Sequence, residues 1–137
     1  MTTGRTFVLV HGAGSDSWYW QLLTTELERR GHEVIAPEAL RRGKPQSGTP
    51  FEKPWPLRAW PEVPTRIVAC RDDRFFTVDF QRRVARERLS LDPYEIDGGH
   101  LVALSRPAAV ADLLESFAAA PQEAQVPGFA GGAPVQP

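Results

Sequence analysis

The chain has 137 residues, of which 42% are hydrophobic and 24% charged, with a formal net charge of −1. That length suits a single domain with a modest core, and the near-neutral balance of interspersed charges gives no electrostatic reason to expect nucleic acid or an anionic membrane as partner. One cysteine, Cys70, excludes an internal disulfide, and the N-terminal apolar run "FVLV" is too short for a signal peptide or a membrane span, so the cytoplasm is the expected compartment.

"TFVLV" (Thr6–Val10) reads as a short buried strand, rich in β-branched residues and closed by glycine. The turn His11-Gly12-Ala13-Gly14 follows. Residues 17–30 then predict a helix, with Trp18, Leu22, Leu23 and Leu27 on one face and Gly31 as its stop. "HEVIAP" predicts a second strand ending at Pro37, and the β-α-β unit so formed should make a parallel pair. Residues 43–64 differ in kind. Pro45, Pro50, Pro54, Pro56, Pro61 and Pro64 forbid regular structure there, leaving an irregular connection that carries Trp55 and Trp60.

"TRIVAC" predicts the third strand and "RDDRFF" the turn after it. Residues 77–89 predict a helix capped by Thr77, with Phe80, Val84 and Leu89 turned inward. The arginines of "RRVARER" fall at helical spacing among acids and read as a solvated face. "YEID" predicts a fourth strand leading into Gly98-Gly99-His100. A last helix begins at Pro107 and presents Val110, Leu113, Leu114 and Phe117 at helical spacing. Residues 1–119 thus form the expected domain, and residues 120–137 have little to bury and are expected to be a disordered tail. The order β-α-β, irregular link, β-α-β-α defines an α/β protein, a class whose ligands bind at the carboxyl ends of the strands.

Three features fall at such ends. The turn His11–Gly14 is the first. A dinucleotide fingerprint would need glycine where Ser17 stands, and the Gly-Lys-Ser/Thr ending of a phosphate-binding loop is absent. What remains is either a tight strand-to-helix turn without a ligand or a cluster of backbone N–H groups suited to an oxyanion. The second is Asp72-Asp73, which reads either as a pair of solvated turn acids or as a carboxylate that orients a histidine. The third is Gly98-Gly99-His100, where the glycines permit a sharp turn that projects a histidine back over the sheet edge. That histidine alone serves equally well as a cap or a packing group.

Taken in order, strand–HG turn, strand–Asp and strand–GGH before a terminal helix, the chain resembles the α/β-hydrolase superfamily. Its closer resemblance is to small esterase-like members near the plant methylesterase and hydroxynitrile lyase group. The stretches that carry it are "FVLVHGAGSDSWYWQLLTTELERRGHEVIAP" and "VPTRIVACRDDRFFTVDFQRRVARERL…YEIDGGHLVALSRPAAVADLLESF". The resemblance implies a three-layer sandwich, here reduced to about four parallel strands flanked by helices. It implies Asp73 as the acid, with Asp72 as the second choice, and His100 as the base. It places the oxyanion N–H groups at Ala13 and Gly12, assigns substrate contact to His11 and Trp18, and calls for no cofactor and no metal. Cys70 stands where the family pattern Gly-x-x-Asp has its glycine.

One part of the family apparatus is missing. The nucleophile of Gly-x-Ser-x-Gly has no counterpart, because none of Ser15, Ser17, Ser47, Ser90, Ser105 and Ser116 is followed two residues on by glycine. Gln46-Ser47-Gly48 is a degenerate match, but Pro45 and Pro50 deny it a strand before and a helix after. The simplest account is the loss of roughly a hundred residues between Pro37 and Glu38, a segment that holds the nucleophile strand, its helix, the next strand and most of the cap in the superfamily. Two absent strands at about 4.8 Å spacing would leave a gap of roughly 14 Å. The "FVLV" and "RIVA" strands are therefore expected either to pair directly or to present exposed edges that favour self-association. The expected activity is hydrolysis of a small ester, ancestrally by an oxyanion hole and an Asp–His pair. The competing expectation is an inactive remnant that binds a small apolar ligand or another protein.

Overall fold

The computed structural model describes residues 4–12, 17–36, 52–53, 60–61 and 63–120. Ala13, the Ser47 motif, Trp55 and the tail from residue 121 lie outside the described residues. The chain forms two compact units. One comprises residues 1–46 and 101–119, and the other residues 47–100 and 120–137.

In the first unit, β1 (Thr6–Val8) pairs in parallel with β2 (Glu33–Ile35), Phe7 opposite Val34. The amide of Leu9 extends the ladder to the Ile35 carbonyl at 2.9 Å. Between the strands, a 3₁₀ turn over Ser17–Trp20 passes into α1 (Gln21–Arg29). Tyr19 and Trp20 of that turn pack against the same core as the leucines of α1. Leu23 and Leu27, four residues apart, are 0% exposed, whereas Leu22 is 45% and Trp18 61% exposed. Of the expected four-residue face only Leu23 and Leu27 are buried, with Tyr19, four residues before Leu23, packed against the same core. Gly31, at φ 87°, closes α1. There the amide of Gly31 bonds the Glu28 carbonyl at 2.9 Å and that of His32 the Leu27 carbonyl at 3.1 Å, the paired bonds of a left-handed helix stop.

Two helices complete this unit. The short α3 (Val102–Ser105) was not indicated by periodicity, and α4 (Pro107–Ala119) starts at its proline. Leu9, Leu23, Leu27, Ala103 and Ala111 make the core, with Phe7, Val34, Val110 and Leu114 packed against it. The small residues Ala103 and Ala111 let α1 approach closely.

An ion-pair cluster ties α1 to α4. The guanidinium of Arg30 reaches Glu26 at 2.8 Å, Asp112 at 2.6 Å and Glu115 at 2.7 Å. His32 adds a bond to Glu115 at 2.7 Å. Hydrogen bonds from Arg29 first, then Arg30, hold the Glu26 carboxyl down at about 2. His32, then Arg30, lower that of Glu115. A carboxyl whose folded value is depressed contributes stability that is complete above its unfolded value and lost as pH falls through the folded one. For Glu26 that window runs from 4.5 down to about 2. Urea midpoints measured across it should fall with acid in the native chain and fall less steeply in Arg30→Met. Parallel slopes for the two proteins would remove the cluster from the acid response.

In the second unit, β3 (Val68–Cys70) pairs in parallel with β4 (Tyr94–Ile96), Ala69 opposite Glu95. The crossover is α2 (Val78–Leu89), and Thr77 caps it, its hydroxyl accepting from the Phe80 amide at 3.4 Å. Phe80 and Val84, expected to turn inward, are exposed. With Ile67, Phe76 and Leu89 they line an apolar cleft of about 250 Å³.

The sheet expectation needs correction. Instead of one sheet of about four parallel strands, the described residues form two two-stranded parallel sheets, β1–β2 and β3–β4. Each strand pairs with its neighbour in the chain, across the helix that joins them, and β1 does not pair with β3. Among the described residues no further strand stands between Ile35 and Val68 to join the pairs. Val8, Val10 and Ile35 remain exposed. No helix of the described residues is long and apolar enough to cross a membrane.

Candidate functional site

The second unit brings Asp73 and His100 together. β3 ends at Cys70 and β4 at Ile96, and their parallel register leaves the two following turns side by side. The pairing continues past the strands, with the amide of Arg71 bonding the Ile96 carbonyl at 3.0 Å and that of Asp72 the Gly98 carbonyl at 3.0 Å. Asp73 and His100 are the next side chains along each path.

Asp73 is held from three sides. Its Oδ1 accepts the amides of Phe75 at 2.8 Å and Phe76 at 3.0 Å, an aspartate turn that fixes the side chain against its own backbone. Its Oδ2 lies 2.9 Å from His100 Nδ1. The Asp73 side chain is 6% exposed and that of His100 44%. Burial pushes the Asp73 carboxyl upward, but the amide of Phe76, the His100 ring and the amide of Phe75 together outweigh it and hold the carboxyl below its ordinary value. Asp73 is therefore ionised at neutral pH. An ionised carboxylate only accepts, so His100 Nδ1 is the donor, and in the neutral ring Nε2 carries the lone pair.

The rings of Phe75 and Phe76 flank the histidine, with centroids 5.0 and 5.7 Å from its own. A buried acid, a histidine oriented by it and an apolar flank make an arrangement able to take a proton at Nε2 and to stabilise the resulting imidazolium.

Gln81 was not indicated by the sequence reading. Its Oε1 accepts the Cys70 amide at 3.1 Å, and its Nε2 donates to the carbonyls of Cys70 at 3.1 Å and Phe76 at 2.6 Å. One side chain thereby ties the end of β3 to the far side of the Asp73 turn. The signal was a polar residue among the apolar positions Phe80, Val84 and Ala85 of α2. Outside the turn, Arg71 bonds Glu95 at 3.0 Å and Asp97 at 2.5 Å, and Arg82 shares Glu95 at 2.7 Å. Burial first and the Asp73 charge second raise the Cys70 thiol above its ordinary value.

The remaining predicted residues belong to the first unit. His11 and Gly12 follow β1. The ring of His11 donates from Nδ1 to the Gly12 carbonyl at 2.8 Å, and its buried Nε2 has no hydrogen-bond partner among the described residues. Gly12 is exposed, and a Cβ there would meet none of the described residues within 4 Å. Trp18 is exposed.

Compared with known proteins, residues 38–113 match a family model described as the alpha/beta hydrolase family. The matched span holds Asp73, Gln81 and His100 and begins after the β1 turn. No curated protein matches the chain, and no solved structure does.

Proposed function

For a chain that belongs to the alpha/beta hydrolase family, we propose ester hydrolysis in which His100 acts as general base and Asp73 orients it. The observation that carries this reading is the 2.9 Å bond between the buried Asp73 carboxylate and His100 Nδ1. With Nδ1 bound, Nε2 removes a proton from water as the water attacks the carbonyl carbon of a small ester. The proton stays on the ring as an imidazolium facing the ionised Asp73. On collapse of the tetrahedral intermediate the imidazolium returns it to the departing alcohol, so acid and alcohol leave and the base is regenerated. Gly12 and Ala13 are the proposed donors to the oxyanion, on sequence grounds alone.

No serine of this chain stands in Gly-x-Ser-x-Gly, so no acyl-enzyme forms on such a residue, and the rate is that of base-assisted water attack. Slow turnover of p-nitrophenyl acetate is the expected result, falling to the buffer rate in His100→Ala. Equal rates for the two proteins would reject the enzyme reading. The second reading is a non-catalytic binder of a small apolar ligand, which the cleft beside Phe76 and Phe80 favours. Saturable binding of an apolar dye, weakened by Phe80→Ser, together with no His100-dependent hydrolysis, would select it.

A further inference from the structure

Asp72 precedes the paired acid, and the sequence leaves it as a second choice for the same task. We infer that Asp72 is instead a positioning residue, a clasp that joins the acid turn to the histidine turn and sets the separation of Asp73 and His100. The inference rests on the reading of Asp73 and His100 as the working pair.

Asp72 and Gly98 bond each other twice. The Asp72 amide donates to the Gly98 carbonyl at 3.0 Å, and the Gly98 amide donates to Asp72 Oδ2 at 3.0 Å. The ring so closed locks one turn to the other. Gly98 is buried, so its N–H requires an acceptor from the protein. It also sits at φ 137°, where L side chains rarely go. In that conformation its amide faces Asp72 and not the next rung of the sheet.

Asp73 is one residue beyond Asp72, and His100 is two beyond Gly98. Few backbone torsions therefore intervene between the clasp and the pair, and small changes at one reach the other. The turns lie close elsewhere too, since a Cβ on Gly99 would stand 3.6 Å from the Asp72 carbonyl oxygen. Asp72 Oδ2 is committed to Gly98, while the oxygen that meets the histidine belongs to Asp73.

The test uses the full chain, isotopically labelled, and two NMR readouts that need no turnover: the His100 Nδ1–H resonance and hydrogen exchange at the Gly98 amide. Asp72→Ala should lose the His100 resonance to exchange broadening and speed Gly98 exchange at least about tenfold, as removal of a charge-assisted bond requires. Asp72→Asn keeps an acceptor oxygen and should retain both signals. A native His100 resonance in folded Asp72→Ala overturns the inference. If Asp72→Ala does not fold, Asp72→Asn decides, since loss of the resonance with the acceptor in place also overturns it. An unprotected Gly98 amide in the native chain does the same. Absence of ester turnover with these responses intact would reject the proposed reaction and leave the clasp standing.

Discussion

Asp73→Ala is expected to cost about 3 kcal/mol of folding stability, because it removes one buried acceptor from three donors at once. The Phe75 and Phe76 amides and His100 Nδ1 all lose their partner. A lower urea midpoint at unchanged slope would register the loss. Its pH dependence follows from the depressed Asp73 carboxyl. The contribution is complete above the unfolded value of 3.8 and disappears as pH falls through the folded one, so the gap between native and variant chains should close in acid. A gap that stays constant down to low pH would mean that the charge of Asp73 contributes nothing.

Asp73→Asn separates stability from chemistry. Asparagine Oδ1 still accepts the Phe75 and Phe76 amides, so much of the turn survives. The amide NH₂ then faces His100 Nδ1 and donates to it, which forces the ring hydrogen to Nε2. The ring nitrogen meant to take a proton now carries one. Nitrogen chemical shifts of the His100 ring should show the exchange of tautomers. Any His100-dependent hydrolysis should fall to the rate of His100→Ala, because Nε2 no longer offers a lone pair to the attacking water. An unchanged tautomer would sever Asp73 from the orientation of His100.

What the sequence made legible was local. Thr77 as a cap, Gly31 as a helix stop and Pro107 as a helix start each act within one turn of the chain, and each stands where the pattern put it. The Asp73–His100 contact was legible for a related reason: both residues follow strands by a short turn, and parallel register brings such turns together. The order of strands was not legible. It depends on what lies between elements, and the residues between Ile35 and Val68 contribute no described strand to join β1 and β2 to β3 and β4. Gln81 and the Asp72 clasp were missed because each side chain answers to backbone groups far along the chain. The turn after β1 drew the sequence reading toward the family, yet the matched residues, 38–113, begin beyond it. Family membership therefore stands on residues 38–113, a span that includes Asp73 and His100 but neither Gly12 nor Ala13.

Leu27→Ala is expected to cost about 3 kcal/mol, the size of loss that follows when a fully buried leucine leaves a cavity its neighbours cannot fill. Leu27 is 0% exposed and belongs to one core cluster with Leu9, Leu23, Ala103 and Ala111. Two of those neighbours are alanines, with no side chain able to swing into the space. The backbone around Leu27 is fixed as well, since its carbonyl accepts the His32 amide at the helix stop, so α1 cannot slide to close the gap. Leu22→Ala, one residue from Leu23 but 45% exposed, should cost under about 1 kcal/mol. Urea midpoints for the pair decide which face of α1 carries the core. If the two substitutions cost alike, the helix buries a broader face than Leu23 and Leu27. If only Leu27→Ala is costly, the core is covered by the side that carries Leu23 and Leu27, in line with Tyr19 ahead of them, and Leu22 stands with Trp18 on the exposed side.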